Sequence, residues 1–208
     1  MRIALFKNHP ECSRQCCEGM IKALTPSYEV KIFGVNDDLE KVLSHADIVA
    51  FPGGIGDVST FDKLFRWRAA SRIADFVNSG GKYLGICMGA YWAGPRYFDI
   101  LRNVEVEQYI KRPNTDTHRP HAKNLKVQWL GEDTNMFFYD GCAFGGGQYE
   151  IYAKYMNDDP MAIIQGTVGL IGCHPESQPH WYDSYSWMKG KYVPKQQLLL
   201  NFVNKVMQ

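Results

Sequence analysis

The chain has 208 residues, with 23 Lys and Arg against 22 Asp and Glu and a formal net charge of +1. That balance carries no signature of a nucleic-acid or membrane partner, and no apolar run reaches the roughly 18 residues of a transmembrane helix. A chain of this length is expected to form one domain over residues 1–208, to bury roughly 70% of its unfolded surface, and to need no disulfides for its core.

The opening run Arg2-Ile3-Ala4-Leu5-Phe6 reads as a strand that Lys7-Asn8-His9-Pro10 ends. It is too short for a signal peptide, so a cytoplasmic protein is expected. Cys12 to Ala23 reads as a helix ending near Pro26, Tyr28 to Phe33 as an alternating strand, and Asp37 to Ser44 as a short helix with an acidic start. Asp47 to Phe51 is a third strand, followed at once by Pro52-Gly53-Gly54-Ile55-Gly56-Asp57. The spacing of Leu64, Phe65, Ala69, Ile73, Phe76 and Val77 predicts one long amphipathic helix from Phe61 to Val77, which Gly80-Gly81 ends. Tyr83 to Ile86 is a buried strand, and Met88 to Ala93 is compatible with a helix. Such alternation with short connections predicts a mainly parallel sheet with helices on both faces.

The pattern changes after Pro95. Val104 to Ile110, Leu125 to Leu130, Met136 to Tyr139, Gln148 to Tyr155 and Met161 to Gln165 are strand-like with no helix between them, and are expected as antiparallel additions at the sheet edge. Lys111 to Lys126 is a polar loop with five Lys or Arg against one Asp. It is either a solvated loop or a lid presenting positive charge to an acidic substrate. Val168 to Cys173 is a further buried strand, and His174-Pro175-Glu176 follows it. Tyr182 to Met188 reads as a short aromatic helix, with Trp181 and Trp187 as surface aromatics. Gln196 to Val206 reads as a closing amphipathic helix.

Six cysteines are present: Cys12, Cys16, Cys17, Cys87, Cys142 and Cys173. There is no C-x-x-C pair, and Cys12 and Cys16 have no second ligand pair beside them, so the bland reading is buried free thiols. Neither these nor His118 and His121 are expected to bind metal, and no cofactor is expected. Cys87 is different. In Gly85-Ile86-Cys87-Met88-Gly89 it stands on a tight turn between a buried strand and a helix, which reads as a nucleophile elbow with Cys in place of Ser. Glycines relieve crowding around the strained turn, and the thiolate lies at the positive end of the next helix.

A nucleophilic thiol needs a base, and the base an orienter. In an extended segment residues i and i+2 point the same way, so Glu176 is placed to receive the Nδ1–H of His174 and leave Nε2 facing Cys87. The backbone N–H of Met88 and that of Gly54, in the Gly53-Gly54 loop, are candidates for an oxyanion hole. Sites in open parallel sheets lie beyond the carboxyl ends of the strands, where these segments would meet.

With Pro52-Gly53-Gly54, Gly85-Ile86-Cys87-Met88-Gly89 and His174-Pro175-Glu176 in that order, the sequence resembles the class I glutamine amidotransferase-like superfamily. The resemblance implies a flavodoxin-like sheet and a Cys87-His174-Glu176 triad. Within the superfamily it is most similar to the N-terminal domain of eukaryotic biotin-protein ligases, which also occurs free-standing. Phe51 to Gly54, Gly85 to Tyr91, Tyr139-Asp140-Gly141-Cys142-Ala143-Phe144 and His174 to Glu176 carry that similarity. No Gly-Arg-Gly-Arg-type biotinyl-adenylate loop is present, so biotin ligation is not expected. The resemblance departs at Tyr91, where glutaminases of the superfamily carry a Gln that helps hold substrate. An aromatic ring there removes an amide donor and acceptor and predicts poor use of free glutamine. Two functions follow: a thiol-dependent amidohydrolase or amidotransferase acting on a small-molecule amide or acyl substrate, or a non-catalytic binding or regulatory module that keeps the cleft. The chaperone/peptidase-like branch with an elbow cysteine generally lacks His-Pro-Glu and is disfavoured.

Overall fold

Period-two burial sets the layers of this protein. The computed structural model describes residues 1–65 and 67–208, Trp67 by its backbone alone. The first part runs β1 (Arg2–Phe6), α1 (Arg14–Leu24), β2 (Glu29–Phe33), α2 (Leu39–Ser44), β3 (Ile48–Phe51), α3 (Val58–Leu64), α4 (Trp67–Asn78), β4 (Lys82–Ile86) and α5 (Met88–Trp92). Side-chain oxygens of Ser13, Asp38 and Asp57 accept the first free N–H groups of α1, α2 and α3, which sets where those helices start. Ile3, Leu5, Ile48, Ala50, Leu84 and Ile86 face a core shared with Met20 and Leu24 of α1. Their neighbours Ala4, Phe6, Val49, Phe51 and Tyr83 face the other way, into a core with Leu43, Phe61, Ile73 and Trp92. Helices therefore cover both faces of a mostly parallel sheet, the expected α/β class. The second core is aromatic: the Phe51 ring packs against Phe6, Phe33, Phe65, Tyr83, Trp92 and Phe98. Truncating such a ring to Ala costs roughly 3–5 kcal/mol.

The second part runs β5 (Val104–Gln108), β6 (Lys123–Trp129), β7 (Glu132–Phe138), β8 (Cys142–Gly146), β9 (Glu150–Tyr155), β10 (Pro160–Gln165), β11 (Val168–Ile171), α6 (Pro179–Asp183) and α7 (Gln196–Val206). The nine-stranded sheet has the order β2-β1-β3-β4-β11-β10-β9-β6-β7. Strands β1 to β4 and β11 pair in parallel, and β10, β9, β6 and β7 extend the sheet antiparallel. Among the described residues no helix is long and apolar enough to cross a membrane.

Several expectations are corrected. The single helix over Phe61 to Val77 is two helices, because Phe65 leaves helical geometry at φ −119° and ψ 78° to enter the aromatic core; Arg66, within that span, lies outside the described residues. Val104 to Ile110 does not join the main sheet edge. Its strand pairs with β8, which the small residues of Cys142 to Gly146 conceal as a strand, in a separate two-stranded sheet. The polar loop ends early, since Lys123 to Lys126 belong to β6. The aromatic helix lies earlier than Tyr182 to Met188, at α6. Trp181 is buried at 3% exposure, whereas Trp187 is exposed at 54%.

Candidate active site

Cys87 sits where β4 turns into α5. Its φ of 51° and ψ of −104° are outside the regions that L side chains favour, so the elbow is strained as the sequence pattern requires. The turn closes tightly: a Cβ at Gly89 would strike the Phe51 carbonyl, and one at Gly85 would strike the carbonyl of Gly89. The buried Tyr83 hydroxyl donates to that same Gly89 carbonyl at 2.6 Å and ties strand to helix. Cys87 N–H donates to Ile171 of β11 at 2.8 Å. The N–H groups of Met88 and Gly54 donate to no acceptor among the described residues, although the flanking Ser13 and Ile55 N–H groups bond Gly53 and Glu11 at 2.9 Å each. Cys87, Met88, Gly54 and Tyr91 line a cleft of about 830 Å³ together with Tyr139 and Asp140.

His174 and Glu176 are not among the residues that line this cleft and are 3% and 0% exposed. The imidazole Nδ1 is 2.8 Å from Glu176 Oε1. The segment is not extended, as the i, i+2 argument assumed. Pro175 and Glu176 form a turn, closed by Ser177 N–H donating to the His174 carbonyl at 3.2 Å. The turn folds the carboxylate back onto the ring. His174 is also held by the antiparallel half of the sheet, its N–H donating to Phe137 of β7 at 2.9 Å. Burial disfavours the imidazolium, but the Glu176 carboxylate, then Cys16 and Cys87, outweigh it and raise the His174 pKa well above its ordinary value of 6.5.

Cys87 acts electrostatically on His174, yet no hydrogen bond joins them among the described residues. The Cys87 thiol donates to the Tyr139 carbonyl at 3.7 Å. The thiol in contact with the ring is Cys16, whose Sγ is 3.9 Å from Nδ1. Cys16, read above as one of several packed thiols, belongs to the surroundings of His174. The two are 158 positions apart, and no local sequence signal joins them. Cys12, read above as the start of the first helix, precedes α1 and pairs with Gly54 through an isolated bridge. Gly53 lies between Cys16 and His174: a Cβ there would be 2.7 Å from His174 Cε1 and 2.8 Å from Cys16 Sγ.

The Tyr91 hydroxyl donates to the Asp140 carbonyl at 3.2 Å, and the Gln108 amide donates to both oxygens of the Asp140 carboxylate at 3.1 and 3.0 Å. This wall draws on two residues, Gln108 and Asp140, that sequence reasoning gave no role. In the polar loop, Arg112 is fixed by Asp159 and Glu107 at 2.9 Å each. The His118 and His121 rings stay in local contacts, with Thr115 and with the Arg119 carbonyl. Lys111 reaches the cleft.

Residues 7–109 match the family described as "Biotin-protein ligase, N terminal". This half of the chain is thus similar to the N-terminal domain of biotin-protein ligase, and the whole chain has a glutamine amidotransferase-like fold. The family match takes in the glycine loop and the elbow and stops before His174. Solved structures show the same amidotransferase-like fold over the whole chain. One titled as a glutamine amidotransferase is 18% identical with a TM-score of 0.68, covering 98% of each chain. A glutamine amidotransferase from Thermotoga maritima is 13% identical with a TM-score of 0.66, covering 100% of this chain and 98% of its own. PurLQS from the same organism is 16% identical with a TM-score of 0.65, covering 99% and 98%. No curated protein matches the sequence.

Proposed function

We propose that this protein is a thiol-dependent amidohydrolase or amidotransferase acting on a small-molecule amide or acyl substrate. The observation that carries the reading is Cys87, strained at positive φ on a cleft wall with the unbonded N–H groups of Met88 and Gly54 beside it. Cys16 touches the same imidazole but is absent from the cleft lining.

In the proposed reaction Cys87 attacks the substrate carbonyl as thiolate, forming a C–S bond. The oxyanion takes hydrogen bonds from Gly54 and Met88 N–H. The protonated imidazole of His174 passes its proton to the leaving amine as the C–N bond breaks, leaving a thioester. Water or an amine acceptor then attacks the thioester, gives its proton to His174, and releases Cys87. Glu176 orients the ring and stabilises its charged form. Tyr91, pinned to Asp140, supports a substrate other than free glutamine. The test is ammonia release from a panel of amides by wild type, Cys87→Ala and His174→Ala. Equal rates in all three would end the enzymatic reading.

A second reading, a binding or regulatory module, is favoured by one contact: the Cys87 thiol is bonded to the Tyr139 carbonyl and not to the imidazole. It predicts that Cys87→Ser leaves ligand binding intact while no amide is cleaved.

A further inference from the structure

The buried side of His174 carries groups that the proposed reaction does not use. Cys16 Sγ, a His174 ring nitrogen and a Glu176 carboxylate oxygen all lie within 4.8 Å of one another, and all three residues are buried. The Glu176 carboxylate uses one oxygen on the imidazole; the other, Oε2, is fully buried with no hydrogen-bond partner. A desolvated oxygen of this kind is unfavourable when nothing binds it. The Cys16 sulfur makes only weak polar contacts, the 3.9 Å approach to Nδ1 and one with the Ser13 side chain. The pocket thus offers a soft sulfur, an imidazole nitrogen and two carboxylate oxygens, with its sulfur and one oxygen underused.

We propose that Cys16, His174 and Glu176 form an inhibitory site for a thiophilic divalent cation such as Zn²⁺. The donor set suits that ion, which takes sulfur, imidazole and carboxylate ligands in one tetrahedral shell. Tetrahedral bonds of usual length place ligand atoms about 3.3–3.6 Å apart. The observed spacings of 2.8 Å from nitrogen to oxygen and 3.9 Å from sulfur to nitrogen bracket that range. Glu176 binds through one oxygen, because the two oxygens of a carboxylate are too close together to fill two tetrahedral corners, and the fourth position is left for a water. Charge also balances: one thiolate and one carboxylate neutralise the dication, so no net charge is buried. On binding, the Cys16 S–H and His174 Nδ1–H protons are released to solvent, and S–Zn and N–Zn bonds replace them.

The consequence for the neighbouring reaction follows from the tautomer. A neutral imidazole bound to metal through Nδ1 carries its proton on Nε2, so it cannot accept one from Cys87. The cation also takes Glu176 from its orienting role. Metal binding itself does not depend on whether the protein turns over any substrate.

The test titrates Zn²⁺ and, as a spectroscopic substitute, Co²⁺ into wild type, Cys87→Ala, Cys16→Ser, and the single variants Cys12→Ser and Cys17→Ser. One equivalent with a thiolate-to-cobalt charge-transfer band is expected in wild type, Cys87→Ala, Cys12→Ser and Cys17→Ser. In Cys16→Ser the band should vanish and affinity fall at least tenfold. If that variant does not fold, Glu176→Gln should weaken binding by a comparable factor while keeping the band. Absence of stoichiometric binding in wild type overturns the proposal. So does a band that persists in Cys16→Ser, or one that disappears in Cys87→Ala, Cys12→Ser or Cys17→Ser. Because these readouts need no substrate, they separate this site from the amidase reading.

Discussion

Two regions meet at His174, and they treat a cysteine in opposite ways. On the cleft wall, Cys87 stands on a strained elbow at the start of a helix, with unbonded N–H groups alongside. In the buried pocket, Cys16 lies in the first turn of α1 against the same ring, and burial raises its pKa despite the nearby imidazole. Both are thiols near one base, so residue type does not distinguish them. Backbone geometry and access to solvent do, because a thiol reacts as thiolate and only where a substrate can reach it.

Alkylation offers the sharpest way to break this contrast. Cys12, Cys17 and Cys173 have pKa values pushed up to about 12, chiefly by burial. That leaves about one thiolate in 10⁵ at pH 7. Iodoacetamide at neutral pH is expected to modify Cys87, on the cleft wall, at least tenfold faster than Cys16 or these three, read by peptide mass spectrometry. Similar rates at Cys87 and Cys16 would erase the distinction between wall and pocket.

Glu176→Gln probes the buried side through pH. The raised His174 pKa means that its partnership with Glu176 contributes full stability below about pH 6.5. That contribution is lost as pH rises through the folded-state pKa, well above 6.5. The substitution should therefore cost about 3–5 kcal/mol at pH 6, and clearly less at pH 9, in urea denaturation. A loss that is the same at both pH values would show that the carboxylate does not hold an imidazolium.

Gly53→Ala tests the partition between the two regions. The new methyl would press on His174 Cε1 at 2.7 Å and Cys16 Sγ at 2.8 Å. Overpacking of this kind costs about 1–3 kcal/mol. It should appear as a lower thermal midpoint together with slower Cys87 alkylation. An unchanged midpoint would mean that the loop yields freely. Tyr83→Phe is the smallest change. It removes the hydroxyl bonded to Gly89 and should cost about 1 kcal/mol or slightly more, with calorimetry as the check.

Much of the parallel half was legible because its signals are local. An apolar run, a glycine turn and a following helix lie within a few residues at Tyr83 to Trp92, and the elbow appears there. Ser13, Asp38 and Asp57 cap helix starts through contacts just as local, although the sequence reading began those helices at Cys12, Asp37 and Phe61. The antiparallel half was less legible. The strand at Cys142 to Gly146 is hidden by small residues, and within the parallel half Phe65 is an exception, with helical spacing but leaving the helix for the aromatic core.

By itself, the sequence determined the alternation of strands and helices, the glycine-bounded turn at Cys87, and the adjacency of His174 and Glu176, since each depends on neighbours in the chain. Only the tertiary structure decided that Cys16 touches the imidazole, that Tyr139 holds the Cys87 thiol, and that the carboxylate reaches the ring by a turn. Those contacts come from α1, β7 and the end of β11 packing together. Their partners are remote in sequence, and close packing, not local propensity, sets their distances.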